Sequence, residues 1–300
     1  MRALVISGGG SKGAFAGGVA QYLIKEKNIC YDLFIGSSTG SLLIPHLALD
    51  KEDKIFKLYT NVDMDKIFSV NPFIIKHKKN QEVITINHFN VIMQFMKGKR
   101  TFGESKNLKN YIEDNFSKEE FAELRNSSKE IIVAVTNITK NSVEYKSILD
   151  CCYEDFCDWI WISCNYIPFM SLVTKDHFEY ADGGISNVIP IQEAINRGAT
   201  EVDVIVLETE HNTAEKVIGK NPFSLTIDLF GTIIDQVERK DIIIGRLAAA
   251  AKNVKLNFYY TPTKLTDNPL VFNKKIMLDW WHQGYDYAKN KSENMSQIQI

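Results

Sequence analysis

The sequence predicts an α/β fold built on a mainly parallel sheet, and three observations carry that expectation. The chain opens with an apolar run at residues 4–7, a glycine turn and a helical stretch at residues 14–27. The same unit follows at once: an apolar run at residues 31–35, a second glycine turn and a helical stretch at residues 41–49. Later apolar runs at residues 131–135 and 202–207 supply further core strands. Alternation of strand and helix periods is the pattern of βαβ units. Such sheets place their working loops at the carboxyl ends of the strands.

Each element has its own local reason. Phe15, Val19, Tyr22 and Leu23 recur at helical spacing. Pro45 falls inside the second helix, where its missing N–H removes one backbone bond and bends the rod. Residues 51–129 read as a polar, helix-rich excursion with no clear strand. The turn Thr139-Lys140-Asn141 separates the strand at 131–135 from a strand-like stretch at 142–146. Residues 178–181 have strand character and run into Asp182, residues 191–197 form a short helix, and residues 202–207 are the last core strand. Beyond Pro222 the chain reads as helices, with an extended piece near 256–260. No repeat, low-complexity tract or linker interrupts it. The expectation is one domain over 1–300, with a core at about 2–208, a helical insertion at 51–129 and a helical C-terminal part at 209–300.

Composition narrows the classes. At 300 residues and 45% hydrophobic, the chain buries a large core. A formal net charge of -2 gives no global attraction to nucleic acid. No stretch of roughly 18 apolar residues suits a membrane-spanning helix, and the apolar run after Met1 is short for a signal peptide. The cytoplasm is therefore the expected location, with peripheral contact at the inner membrane. Cys30, Cys151, Cys152, Cys157 and Cys164 contain no C-x-x-C spacing and no neighbouring histidine, so they read as buried free thiols rather than as metal ligands. No cofactor or metal is expected.

Three glycine-bearing segments carry the chemistry. Gly36-Ser37-Ser38-Thr39-Gly40, between a strand and a helix, has the G-x-S-x-G form of a nucleophile elbow, with Ser38 at its tip. A simple turn with Ser38 as helix N-cap is the competing reading. This elbow comes earlier than in the usual α/β-hydrolase. None of the histidines His46, His77, His88, His177, His211 and His282 sits in a convincing late loop, although His211 and His282 stay open. Asp182, followed by Gly183-Gly184, is the best candidate to take the serine proton; an ordinary Asp-Gly turn is its alternative. Gly8-Gly9-Gly10-Ser11-Lys12-Gly13 offers unobstructed backbone N–H groups for an oxyanion. Its spacing also fits a dinucleotide-binding G-x-G-x-x-G, but that reading wants an acid ending the second strand, and Asp32 precedes it.

In series, these segments resemble the patatin-like phospholipase family. Residues 4–18 resemble its opening, with Ser7 where plant members often carry aspartate. Lys12 stands at the basic position after the oxyanion glycines, and Ser38 and Asp182 match its nucleophile and base. Residues 161–168 are similar to a small-residue stretch ending in Ile-Pro, and Gly183, Gly184 and Asn187 to Pro190 match the segment after the aspartate. The resemblance covers about 2–50 and 130–208. It implies a three-layer α/β/α fold, no metal requirement, and hydrolysis of fatty acyl esters of phospholipids or lysophospholipids by a Ser-Asp dyad. The implied oxyanion hole lies along Gly8, Gly9, Gly10, Lys12 and Gly13. An acyltransferase of related fold is the rival enzyme, but it usually carries histidine before its nucleophile, where this chain has Ser37. A binding or regulatory protein that has lost turnover is the rival outside enzymes.

Two regions bear on the lipid. Residues 74–100 hold Lys76, Lys78, Lys79, Lys97, Lys99 and Arg100 against a single acid, Glu82, around a stretch containing Val83, Ile84, Phe89, Ile92, Phe95 and Met96. This suits interfacial docking, though a helix packed on the domain with solvated lysines is the favoured reading. Trp280, Trp281, Tyr285 and Tyr287 read as the buried face of a C-terminal helix rather than as an interfacial belt.

Overall fold

The computed structural model describes residues 1–78, 81–210 and 222–298. Lys79 and His211 lie outside the described residues, as do the side chains of Lys76, His77, Lys78, Glu82 and Val83. The chain begins with β1 (Arg2–Ile6), α1 (Gly13–Gln21), β2 (Leu33–Ser37) and α2 (Thr39–Ala48). The excursion holds α3 (Glu52–Thr60), α4 (Met64–Ile67), β3 (Phe73–Lys78), β4 (Gln81–Ile86), α5 (His88–Met96), α6 (Lys106–Asn115) and α7 (Lys118–Arg125). Then come β5 (Glu130–Asn137), β6 (Ser142–Ser147), α8 (Tyr153–Ser163), β7 (Val173–Lys175), β8 (Phe178–Asp182), α9 (Ile191–Asn196) and β9 (Glu201–Val206). The last elements are α10 (Pro222–Lys252), β10 (Lys255–Tyr260) and α11 (Lys274–Ile298).

The main sheet runs in the order β10-β9-β1-β2-β5-β8-β7, with β6 also paired to β5. Strands β10, β9, β1, β2 and β5 are parallel, while β6, β7 and β8 join antiparallel. Its central strands are buried on both faces, which is why they read as continuous apolar runs. Alternate residues divide between two cores. Leu4, Ile6, Phe34 and Val133 pack with Phe15, Leu43, Ile160 and Trp281 from α1, α2, α8 and α11. Ala3, Val5, Leu33 and Ile35 pack with Ile191, Ile195 and Ala249 from α9 and α10. The result is the expected three-layer α/β/α arrangement. Among the described residues no helix is long and apolar enough to cross a membrane.

Three sequence expectations are corrected here. The excursion is not strandless: β3 and β4 pair antiparallel, with Phe73 opposite Ile86. Lys76 and Lys78 break the apolar run and hide β3 from a reading based on hydrophobicity. The extended piece expected near 256–260 is present as β10, but it joins the main sheet parallel to β9, so residues 202–207 are not the last core strand and the part after 209 is not purely helical; Lys255 and Asn257 gave it the polar alternation of an edge. The thiols are not uniformly buried, for Cys30 and Cys152 are exposed while Cys151, Cys157 and Cys164 are not. Cys152 sits at the start of α8 and points its Sγ at Asp155 Oδ2, 3.1 Å away.

Trp280 and Trp281 are buried, as the helix-face reading expects. Trp281 is 1% exposed, its Nε1–H donates to Gln21 Oε1 at 2.7 Å, and its ring meets Phe56 edge-on. It ties α11 to α1 and α3. Trp281→Ala is expected to cost about 3–5 kcal/mol, read as a lower urea midpoint with an unchanged slope.

Candidate active site

Strand register brings the two candidate residues together. β6 lines one edge of β5 from Ile132 to Asn137. On the opposite edge β2 pairs up to Ser37 with Ala134, and β8 takes over with Asp182 beside Val135. β2 and β8 therefore run toward each other along one edge, and their last residues abut. Ser38 Oγ donates to Asp182 Oδ2 at 2.6 Å across 144 positions of sequence.

Ser38 adopts φ 52 and ψ -122, a conformation that costs a non-glycine residue about 1–3 kcal/mol. Its surroundings hold it there. The Ser38 N–H donates to Ser163 Oγ at 2.9 Å, and Ser163 Oγ donates on to the Ala134 carbonyl at 2.7 Å. The Ser38 carbonyl accepts from Ser41 Oγ at 2.6 Å and Cys164 Sγ at 3.2 Å. The turn is too tight for side chains at its glycines. A Cβ on Gly36 would lie 2.4 Å from Gly40 C, and one on Gly40 would lie 2.3 Å from Ile6 O. Although Ser38 stands at the N-cap of α2, its hydroxyl makes no cap bond. The simple N-cap reading fails because that hydroxyl is turned to the carboxylate instead.

Asp182 is 2% exposed. Its Oδ1 accepts from the Gly184 N–H at 2.7 Å, its own N–H donates to the Asn165 carbonyl at 2.9 Å, and its carbonyl accepts from Thr136 Oγ1 at 2.8 Å. Burial raises the Asp182 carboxyl to about 7, against the opposing pull of the Ser38 and Gly184 hydrogen bonds.

The first glycine segment forms the neighbouring loop. The Gly8 N–H donates to the Val188 carbonyl at 3.1 Å, Lys12 N–H to Gly9 O at 3.2 Å, and Gly13 N–H back into its own turn. Among the described residues the N–H groups of Gly9 and Gly10 have no protein acceptor. Gly10 takes φ 56 and sits where a Cβ would meet Pro269 O at 2.2 Å, so only glycine fits. Tyr59 Oη donates to the Gly10 carbonyl at 2.6 Å and the Ser11 N–H to Pro269 O at 2.8 Å, pinning the loop from both sides. The Lys12 side chain is buried and paired with Glu208 rather than turned to the serine. Gly183 and Gly184 lead away from Asp182 as a buried 3-10 turn.

Several residues around this centre were not singled out by sequence. Ser163 and Cys164 lay in the stretch before Ile-Pro, where only the run of small residues marked them. Asp241, on α10, accepts from the Val188 and Ile189 N–H groups at 2.7 and 3.0 Å and from Asn187 Nδ2 at 3.0 Å. Its one signal was an acid standing directly before Ile242-Ile243-Ile244. Burial raises Asp241 to about 7 and Glu238 to about 8, the latter opposed by Lys12. Among the described residues neither Ser38 nor Asp182 has a histidine partner. His46 lies two turns along α2 against Phe116, with burial holding it at about 4, and His282 rests on Phe56. The described residues contain no cluster of histidine, cysteine and acidic groups suited to a metal ion.

The fold and this centre define an α/β protein with a serine–carboxylate pair at the meeting ends of two sheet strands, beside a glycine loop. The model of the patatin-like phospholipase family matches residues 4–195, and the chain belongs to that family. No curated protein matches it. Of 12 matching chains of solved structures, VipD from Legionella pneumophila is similar with a TM-score of 0.52 at 15% identity. That alignment covers 96% of this chain and 66% of the VipD chain, and it speaks to the fold.

The buried carboxyls give stability a pH dependence. Folded Asp182 keeps its proton to about 7, whereas its ordinary value is 3.8. Between those values the folded state binds more protons, so this contribution is complete below the lower value and is lost as pH rises through the higher. Glu238 and Asp241 shift the same way; His46, lowered by burial from 6.5 to about 4, opposes these three up to its ordinary value, while Glu120, held at about 2 against its desolvation by Lys54, Ser117 and Lys51, titrates below the window. On balance the thermal midpoint should therefore fall from about pH 5 to the Glu238 value of about 8, most steeply once His46 has passed its ordinary 6.5. Calorimetry of Asp182→Asn should give a flatter profile; an unchanged slope would place the proton uptake elsewhere.

Proposed function

We propose that the chain is a lipid acyl hydrolase that cleaves fatty acyl esters of phospholipids or lysophospholipids, with Ser38 as nucleophile and Asp182 as proton acceptor. Family membership supports the lipid ester as substrate class. The observation that carries the residue roles is the 2.6 Å hydrogen bond from the Ser38 hydroxyl to a buried carboxylate.

In this reading Ser38 Oγ attacks the ester carbonyl as its proton passes to Asp182 Oδ2. The negative charge that develops on the carbonyl oxygen falls beside the N–H groups of Gly9 and Gly10, which have no protein acceptor among the described residues. Preorganised donors of this kind are worth roughly 3 kcal/mol each. Collapse of the tetrahedral adduct breaks the ester C–O bond, and protonated Asp182 returns its proton to the departing alcohol. Water then gives a proton to Asp182 and attacks the acyl-serine. Fatty acid leaves and the Ser38 hydroxyl is restored. A carboxylate near its ordinary value is a weak base; one raised to about 7 is matched to neutral pH and still ionised enough to act.

Purified protein is tested on short-chain p-nitrophenyl esters and on phospholipid vesicles with product analysis. Ser38→Ala should lose turnover and labelling by a fluorophosphonate. Asp182→Asn should lower kcat by about 100- to 10,000-fold with the fold retained. For the wild type, kcat/KM should rise with pH through a single limb at about 7. Full activity in Asp182→Asn, or labelling of another residue, would sink the assignment.

A further inference from the structure

Helix α5 is built inside out. Gln94 is 2% exposed, while Phe89, Ile92 and Met96 are 72%, 57% and 76% exposed. With Met93 they form one stripe at i, i+3, i+4 and i+7, directed to solvent rather than to the core. Val91 and Gln94 seat the helix on the domain, as the favoured reading expects, but its larger apolar stripe is left outside. The orientation is fixed from below. Asn87 caps the helix through its side chain, and the Asn87 N–H and Asn90 Nδ2 each donate to the loop before β3, on Pro72 O and Asn71 O at 2.8 Å.

Charge and position favour one occupant. From His88 to Arg100 there is no acid, and Lys97, Lys99 and Arg100 close the segment. Lys99 and Arg100 pair with Glu104 and Glu179 yet keep 48% and 66% of their side chains in solvent. Lys97 has no carboxylate partner among the described residues. An apolar stripe ending in cations matches acyl chains beneath anionic headgroups. From α5 a row of rings leads inward: Phe95 to Phe102 at 6.0 Å, Phe102 to Phe169 at 5.8 Å, and Phe169 stacked on Tyr166 at 6.1 Å. Tyr166 adjoins Asn165, whose carbonyl holds the Asp182 N–H.

We propose that the outward face of α5 is a docking surface for a lipid bilayer bearing anionic headgroups, set where it delivers lipid to the Ser38–Asp182 centre. The purpose of the surface rests on the acyl hydrolase reading, but the docking itself is measured without turnover.

The Ser38→Ala protein is sedimented with mixed phosphatidylcholine–phosphatidylglycerol vesicles and with pure phosphatidylcholine vesicles. Binding should be tighter to the mixed vesicles. Adding Phe89→Ser, Ile92→Ser and Met96→Ser should weaken it at least about 100-fold. Lys97→Glu, which leaves the stripe whole, should weaken binding to the mixed vesicles alone. In the Ser38 background, the triple variant should keep activity on a soluble short-chain ester, its far-ultraviolet dichroism and its thermal midpoint. Vesicle binding equal to that of the parent, or a parent that does not bind, would overturn the docking surface and leave the hydrolase reading standing. Lost binding in a protein with no esterase activity would instead uphold docking and remove the hydrolase.

Discussion

A carboxylate sealed from water must find donors or surrender its charge, and among the described residues Asp182 finds two: the Ser38 hydroxyl and the Gly184 N–H. The hydroxyl in turn is turned away from the helix that follows it. The hydroxyl satisfies the buried carboxylate oxygen, so losing it strands that oxygen at a cost of about 1–3 kcal/mol. Most of the surrounding geometry serves this meeting. The abutting ends of β2 and β8, the strained turn at Ser38 and the small residues around it all follow from bringing one hydroxyl to one carboxylate.

The short segment from Asn187 to Ile189 links the parts. Its Asn187 carbonyl accepts from Ser37 Oγ, beside Ser38, and its Val188 carbonyl accepts from Gly8, at the start of the glycine loop. The Asp241 carboxylate holds the same segment by two backbone N–H groups and the Asn187 amide. Helix α10 thus fixes elbow and loop relative to each other, although it supplies neither.

The parallel core was legible because doubly buried strands are unbroken apolar runs, and both glycine turns were legible because tight turns admit few residues. Ser38 and Asp182 were found through their glycines rather than through any property of a lone serine or aspartate. What escaped had no local signature. β3 carries lysines, the extended piece at 256–260 gave no sign that it joins the main sheet, and the register that joins β2 to β8 along β5 depends on chain ends far apart in sequence. Asp241 reads as an ordinary helix acid until its carboxylate is seen against the Val188 and Ile189 amides. The outward turn of α5 was equally hidden, since an apolar stripe has the same spacing whichever way it faces.

The antiparallel return of β8 has a consequence for a chain made from its amino terminus. Ser38 emerges early, but its partner arrives only after β5 has docked and β8 has doubled back to meet β2. A partly synthesised chain holds the Ser38 hydroxyl without the carboxylate that accepts from it. The pair is complete only once β8 is seated against β5.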